Sequence, residues 1–178
     1  MGGWLTIVVL LAAPTGRPAL KLPAPRAVLD APAPDAPNFV VNISTPTVSF
    51  SATDPDLPPV SGSPGSTVTW RVAGNSGRTW NLGLSSAATA FTNCPTVPIS
   101  AVTVTCTGAS AGGGTSTAAC SGASTLSTSR TVVASGTEGS GNRSYSITLT
   151  YTLTDQWKYI ALMSPQCTLT ITYNALVN

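Results

Sequence analysis

The chain has no histidine, a single glutamate (Glu138), and charge on only 8% of its residues, against roughly 25% in an ordinary soluble protein. These absences exclude much chemistry. General acid–base catalysis at neutral pH usually recruits histidine or a pair of carboxylates. Here the five aspartates fall in the proline-rich segment or in turn-like stretches, and Glu138 sits in "SGTEGSG". Serine is abundant, but no GxSxG motif occurs and no base is present to activate a hydroxyl. The expectation is a protein that is not an enzyme and carries no cofactor. Metal chemistry is equally poorly provided for. The cysteines Cys94, Cys106, Cys120 and Cys167 form no CxxC pair, so a zinc site would need four thiolates gathered from distant places. Asp54 and Asp56 in "TDPDLP" could offer oxygens to calcium, though turn chemistry explains them more simply. "AGGGTS" has glycines but not the lysine of a phosphate loop. Eight Lys and Arg residues are scattered without a run, which excludes the converging cations that nucleic acid requires.

What is present is hydroxyl and oil. Apolar residues make up 42% of the chain, so Ser, Thr and Gly have replaced the missing charge, and the surface is a hydroxyl surface suited to export or to packing in an assembly. The net charge of +2 gives copies little mutual repulsion. Near the N-terminus "LTIVVLLAA" (residues 5–13) has the length of a signal-peptide core and about half that of a spanning helix. Residues 1–27 are therefore read as an export segment, leaving a mature chain without a membrane span in a secreted or cell-surface protein. Arg17, Lys21 and Arg26 follow the apolar run instead of preceding it, which also fits an uncleaved anchor or a misplaced start. The prolines of "PTGRPALKLPAPRAVLDAPAPDAP" forbid helix and inner strand, so residues 28–37 read as a linker or extended arm.

From residue 38 to residue 178 the grammar is that of strands. Trp70 alternates with Thr69 and Arg71, and Trp80, Leu82 and Leu84 alternate with Asn81, Gly83 and Ser85, which assigns both tryptophans to an oily face. A five-residue turn "GNSGR" between them predicts a hairpin with Ala73 opposite Thr79. "AVTVTC", residues 130–134, "RSYSITLTYTL" and "CTLTITYNALV" continue the alternation, and "DQWKYIALM" is the sole candidate for a helical turn. The fold expected is all-β: an antiparallel two-sheet sandwich, immunoglobulin-like or pilin-like, of seven or eight strands with an extended N-terminal arm. Four cysteines fit an oxidising compartment. Of three pairings, Cys106 with Cys120 and Cys94 with Cys167 is the expected set, the first closing a floppy Gly/Ser loop; free buried cysteines are the alternative. The triplets beginning at Asn42 and Asn142 permit glycosylation and arise readily by chance in such a chain.

The stretches "STVTWRVAGNSGRTWNLGLS", "SYSITLTYTLTDQWKY" and "CTLTITYNA" resemble secreted bacterial β-sandwich surface proteins, including fimbrial, pilus and spore-coat-like subunits. The resemblance spans most of residues 38–178 and rests on alternation and a few aromatics. Subunits assembled by a chaperone and usher usually have a cysteine on the first strand; the corresponding region here has none. The resemblance implies a structural or adhesive role outside the cell. Two functions follow as expectations. One is a structural subunit of an extracellular filament, pilus-like fibre or surface layer, its partners copies of itself, in which the arm and the strand around Phe39, Val41, Ile43 and Phe50 add to a neighbour's sheet edge. The other is a carbohydrate-binding or adhesin module that meets cell-surface glycans on Trp157 and Tyr159; a loop tryptophan capping one end of the sandwich is the plainer reading of Trp157.

Overall fold

The structure, a computed structural model, describes residues 3–12, 40–45, 47–51, 59–74, 77–157, 159 and 166–177. In chain order the strands are β1 (Gly3–Ala12), β2 (Val40–Ile43), β3 (Thr47–Ser51), β4 (Val60–Ser61), β5 (Ser66–Gly74), β6 (Thr79–Ser85) and β7 (Ala90–Phe91). There follow β8 (Cys94–Pro98), a 3-10 turn over Ile99–Ala101, β9 (Val102–Ala111), β10 (Ala119–Cys120), β11 (Ala123–Thr125), β12 (Thr131–Thr137), β13 (Gly141–Leu153) and β14 (Cys167–Val177). No α-helix occurs among the described residues. The first sheet has the order β10-β12-β6-β14-β1-β3. The second has β11-β9-β13-β5-β2, with β4 also on β13, and β7 and β8 form a separate pair. The all-β expectation holds, with one parallel pair, β1 on β3, among otherwise antiparallel ladders. Among the described residues there are fourteen strands, several of them two- or three-residue pieces too short to leave an alternation in the sequence.

The core lies between the two sheets. On the second sheet Val68 and Trp70 of β5 stand opposite Ile147 and Tyr145 of β13, and Tyr151 and Leu153 stand opposite Val104 and Val102 of β9. The first sheet contributes Trp80, Leu82 and Leu84 from β6, Leu169, Ile171 and Tyr173 from β14, and Val48 and Phe50 from β3, all buried. Threonine and serine occupy the intervening outward positions, as a two-residue period requires. Burying so many large side chains, each contributing about 1.5–3 kcal/mol, is what closes a sandwich with so few charges.

The expected β5–β6 hairpin is not formed. β5 pairs with β13 and β2, whereas β6 pairs with β12 and β14, so the connection after Gly74 is a corner crossing from one sheet to the other. Both readings bury the tryptophans; they differ in how the rings meet. Trp70 and Trp80 approach edge-on across the core with centroids 4.9 Å apart, and Tyr145 stacks on Trp70 at 5.6 Å. A similar crossing takes the chain from β2 in the second sheet to β3 in the first. At that switch the Ser44 amide donates to the Thr67 carbonyl (2.9 Å), and the Ser66 hydroxyl donates to the Thr45 carbonyl (3.0 Å).

Candidate functional site

The fifth place in the first sheet is filled by β1. β14 is held on one side by β6, with Tyr173 opposite Leu84 and Ala175 opposite Leu82. Its other edge is covered by β1, where Leu5 lies opposite Tyr173, Ile7 opposite Ile171 and Val9 opposite Leu169. β3 takes the far edge of β1, with Val9 opposite Val48 and Leu11 opposite Phe50. β14 and β3 make no ladder with each other. The core-facing side chains of Leu169, Ile171, Tyr173, Val48 and Phe50 thus flank a place that a strand must fill, or two rows of backbone donors and acceptors lose their partners. The segment filling it is the apolar run that the sequence marks as an export core.

The interior beneath holds a buried pair of phenols and a buried carboxyl. The hydroxyls of Tyr151 on β13 and Tyr173 on β14 hydrogen-bond to each other across the two sheets. Burial pushes both phenols above their usual range, Tyr173 well above, so they stay protonated at neutral pH and serve as a polar tie. Glu138, in the β12–β13 turn, is 1% exposed, and neither carboxylate oxygen has a hydrogen-bond partner among the described residues. Its backbone is pinned: the amide donates to the Arg78 carbonyl (2.8 Å) and the carbonyl accepts from Gly77 (3.3 Å). Loss of water pushes the Glu138 carboxyl above its ordinary value, and the positive field of Arg78 pulls it partly back. Among the described residues no three His, Cys, Asp or Glu side chains converge as metal ligands.

On the outer face of the first sheet Arg130 lies over Gly83. Its Nη2 donates to the Asn174 carbonyl (3.1 Å), to the Asn81 carbonyl (3.2 Å) and to Asn81 Oδ1, tying the β11–β12 loop to β6 and β14. A Cβ at position 83 would collide with that guanidinium. Burial lowers the Arg130 pKa, yet an arginine remains charged at any physiological pH. The sequence offered one clue to this clamp, a glycine at an outward position inside an otherwise well-filled strand. Nothing in the pattern marked Glu138 as buried.

The residues singled out from the sequence fall as follows. Both expected disulfides are present, Cys94–Cys167 and Cys106–Cys120, and they fit an oxidising, extracellular-type compartment. Among the described residues no helix is long and apolar enough to cross a membrane. Phe50 is fully buried in this chain's own core and Ile43 packs against it. Val41 pairs through its backbone with Trp70. Phe39, the arm at 28–37, Asp54 and Asp56 lie outside the described residues. Trp157 and Tyr159 do not form a shared platform: Trp157 is 73% exposed, whereas Tyr159 packs partly against the core and its amide donates to the Gln156 carbonyl (2.8 Å). Asn42 and Asn142 are both exposed. Comparison with protein-family models, with curated proteins and with solved structures found no match.

Proposed function

We propose that the chain is a non-enzymatic structural subunit of an extracellular filament, pilus-like fibre or surface layer, built on an immunoglobulin-like or pilin-like sandwich and joined to its neighbours by strand addition. One observation carries the reading. The run that reads as an export core, residues 5–13, overlaps β1, which occupies an interior place between β14 and β3. If that run leaves its own sheet, the subunit lacks an inner strand and two apolar-lined edges face solvent, an unstable and aggregation-prone condition. A strand from a neighbouring copy relieves it, and the backbone hydrogen bonds of such a ladder need no charged partner. The low charge of the chain fits this mode of association.

The donor in this reading is the apolar run, residues 5–13, of a neighbouring copy, since the prolines of residues 14–37 forbid an inner strand. Phe50 and Ile43 are engaged in the chain's own sandwich, so they hold the acceptor together and do not reach the neighbour. The full chain, exported natively, is expected to give polymers in negative stain. A version beginning at Val40 behind an unrelated cleavable leader is expected to give monomers or amorphous material. Ordered polymers from the shortened version would remove strand addition through the N-terminal segment from consideration. The second reading, an adhesin or carbohydrate-binding module, draws support from the exposure of Trp157 alone. Glycan binding lost on Trp157→Ala would favour that site, and unchanged binding would eliminate it.

A further inference from the structure

A groove of about 610 Å³ crosses the outer face of the second sheet, lined by Asn42, Thr69, Arg71, Ser110, Ser144 and Ser146 among others. Its construction follows from register. Asn42 on β2 stands opposite Thr69 on β5, Thr69 opposite Ser146 on β13, and Ser146 opposite Ser110 on β9. Four polar side chains therefore form one transverse row across four strands, about 14 Å long at the usual inter-strand spacing. The next row holds Arg71 opposite Ser144, and the Arg71 Nε donates to Ser144 Oγ at 3.1 Å. That bond holds the guanidinium along the groove, and its Nη edge makes no hydrogen bond among the described residues. Gly112 completes the wall. A Cβ there would press on the Ser144 carbonyl at 2.9 Å, so the wall is narrow where a larger residue would fill it.

The lining selects a ligand by its chemistry. Trp70 and Tyr145 also belong to the lining, but their rings are buried in the core, so the groove offers no exposed aromatic ring. Hydroxyls and an amide offer donors and acceptors together, as a polyol requires. Among the described residues Arg71 is the one charged side chain in the lining and no carboxylate accompanies it, which disfavours a cation and suits one anionic group. The volume lies within the range of ordinary small-molecule sites. We infer that this groove binds a short oligosaccharide bearing an anionic group, with Arg71 receiving the anion and the Asn42–Thr69–Ser146–Ser110 row receiving sugar hydroxyls. The inference is independent of assembly through β14 and β3, which lie on the other sheet, and it places a glycan away from Trp157.

The test uses the exported full-length protein, labelled with nitrogen-15 and titrated with three probes: cellotetraose as the neutral one, tetragalacturonate as the carboxylate, and a sulfated galactan tetrasaccharide. Amide shifts are expected at Thr69, Arg71, Ser144 and Ser146. At least one anionic probe should bind about tenfold more tightly than cellotetraose, the difference of one charge-assisted contact. Which anion does so distinguishes uronate from sulfate. Arg71→Gln should erase the tenfold preference while circular dichroism and polymer formation stay as in the parent; Ser144→Ala should reduce it less; Trp157→Ala should leave it intact. Shifts confined to the Trp157 loop, equal affinity for neutral and anionic probes, or no shift with any probe would overturn the assignment.

Discussion

The two ends of the first sheet are built differently. Toward β10, the strands β6 and β12 are paired over most of their lengths, Arg130 is laid across them, and a disulfide ties Cys120 at the edge to Cys106 in the opposite sheet. Toward β3, the sheet depends on β1, which comes from the far end of the sequence and is separated from β2 by the proline-rich stretch. The closed end teaches what permanent structure looks like here: ladder, clamp and covalent tie together. At the other end, what is described of β1 is its ladders with β14 and β3, and exchanging one strand for another in such ladders preserves the backbone hydrogen bonds.

That contrast can be broken or sharpened by perturbing each end in turn. The largest effect belongs to the closed end. Trp80→Ala should cost about 3–5 kcal/mol in denaturant unfolding, since it removes one of three mutually contacting rings, and the cost should be the same in monomeric and polymeric samples. A loss confined to polymers would show that the aromatic cluster depends on assembly. Next come the disulfides, which separate the two regions by loop length. Cys94 and Cys167 are 73 residues apart and Cys106 and Cys120 are 14 apart; chain-entropy reasoning gives about 4 and about 3 kcal/mol respectively. Paired Cys→Ser replacement should therefore destabilise more at Cys94–Cys167, which anchors the first residue of β14. The reverse order would mean that the Gly/Ser loop after β9 matters more than the strand beside β1.

A smaller effect is expected from Glu138. Its native carboxyl pKa is raised, so the folded state holds a proton more tightly than the unfolded chain does. The stability tied to it is fully present below the ordinary glutamate value, about 4.3, and is lost as pH rises through the native value. Glu138→Gln should then raise the unfolding midpoint more at pH 7 than at pH 4, because the amide cannot ionise; a gain of equal size at both would show that burial of charge is not the cause. The smallest effect should be that of Trp157→Ala, within about 0.5 kcal/mol of the parent. A large loss would mean that the exposed ring supports the end of the sandwich.

Much of the architecture was legible in the residues themselves. The alternation in "SYSITLTYTL" placed Tyr145, Ile147, Leu149, Tyr151 and Leu153 on one face, and all five are buried. The cysteine pairing was legible because the Cys106–Cys120 loop is short and flexible, which leaves Cys94 and Cys167 for each other. What the pattern could not convey was the neighbour of each strand. A period of two assigns a face and says nothing of partners, so Trp70 and Trp80 looked like two sides of one hairpin when they are two sides of a core. The same ambiguity concealed β1: an apolar run suits an export core and an inner strand equally well. Glu138 and the polar groove lay further out of reach, since each depends on residues brought together from several strands.

The most direct measurement mixes two populations of the exported chain, one labelled with nitrogen-15 and the other with carbon-13, and looks for contacts between the labels in the assembled material by solid-state nuclear magnetic resonance. Strand addition predicts contacts between different copies along Leu169–Tyr173 and Val48–Phe50. Assembled material in which those residues touch only their own chain would contradict it.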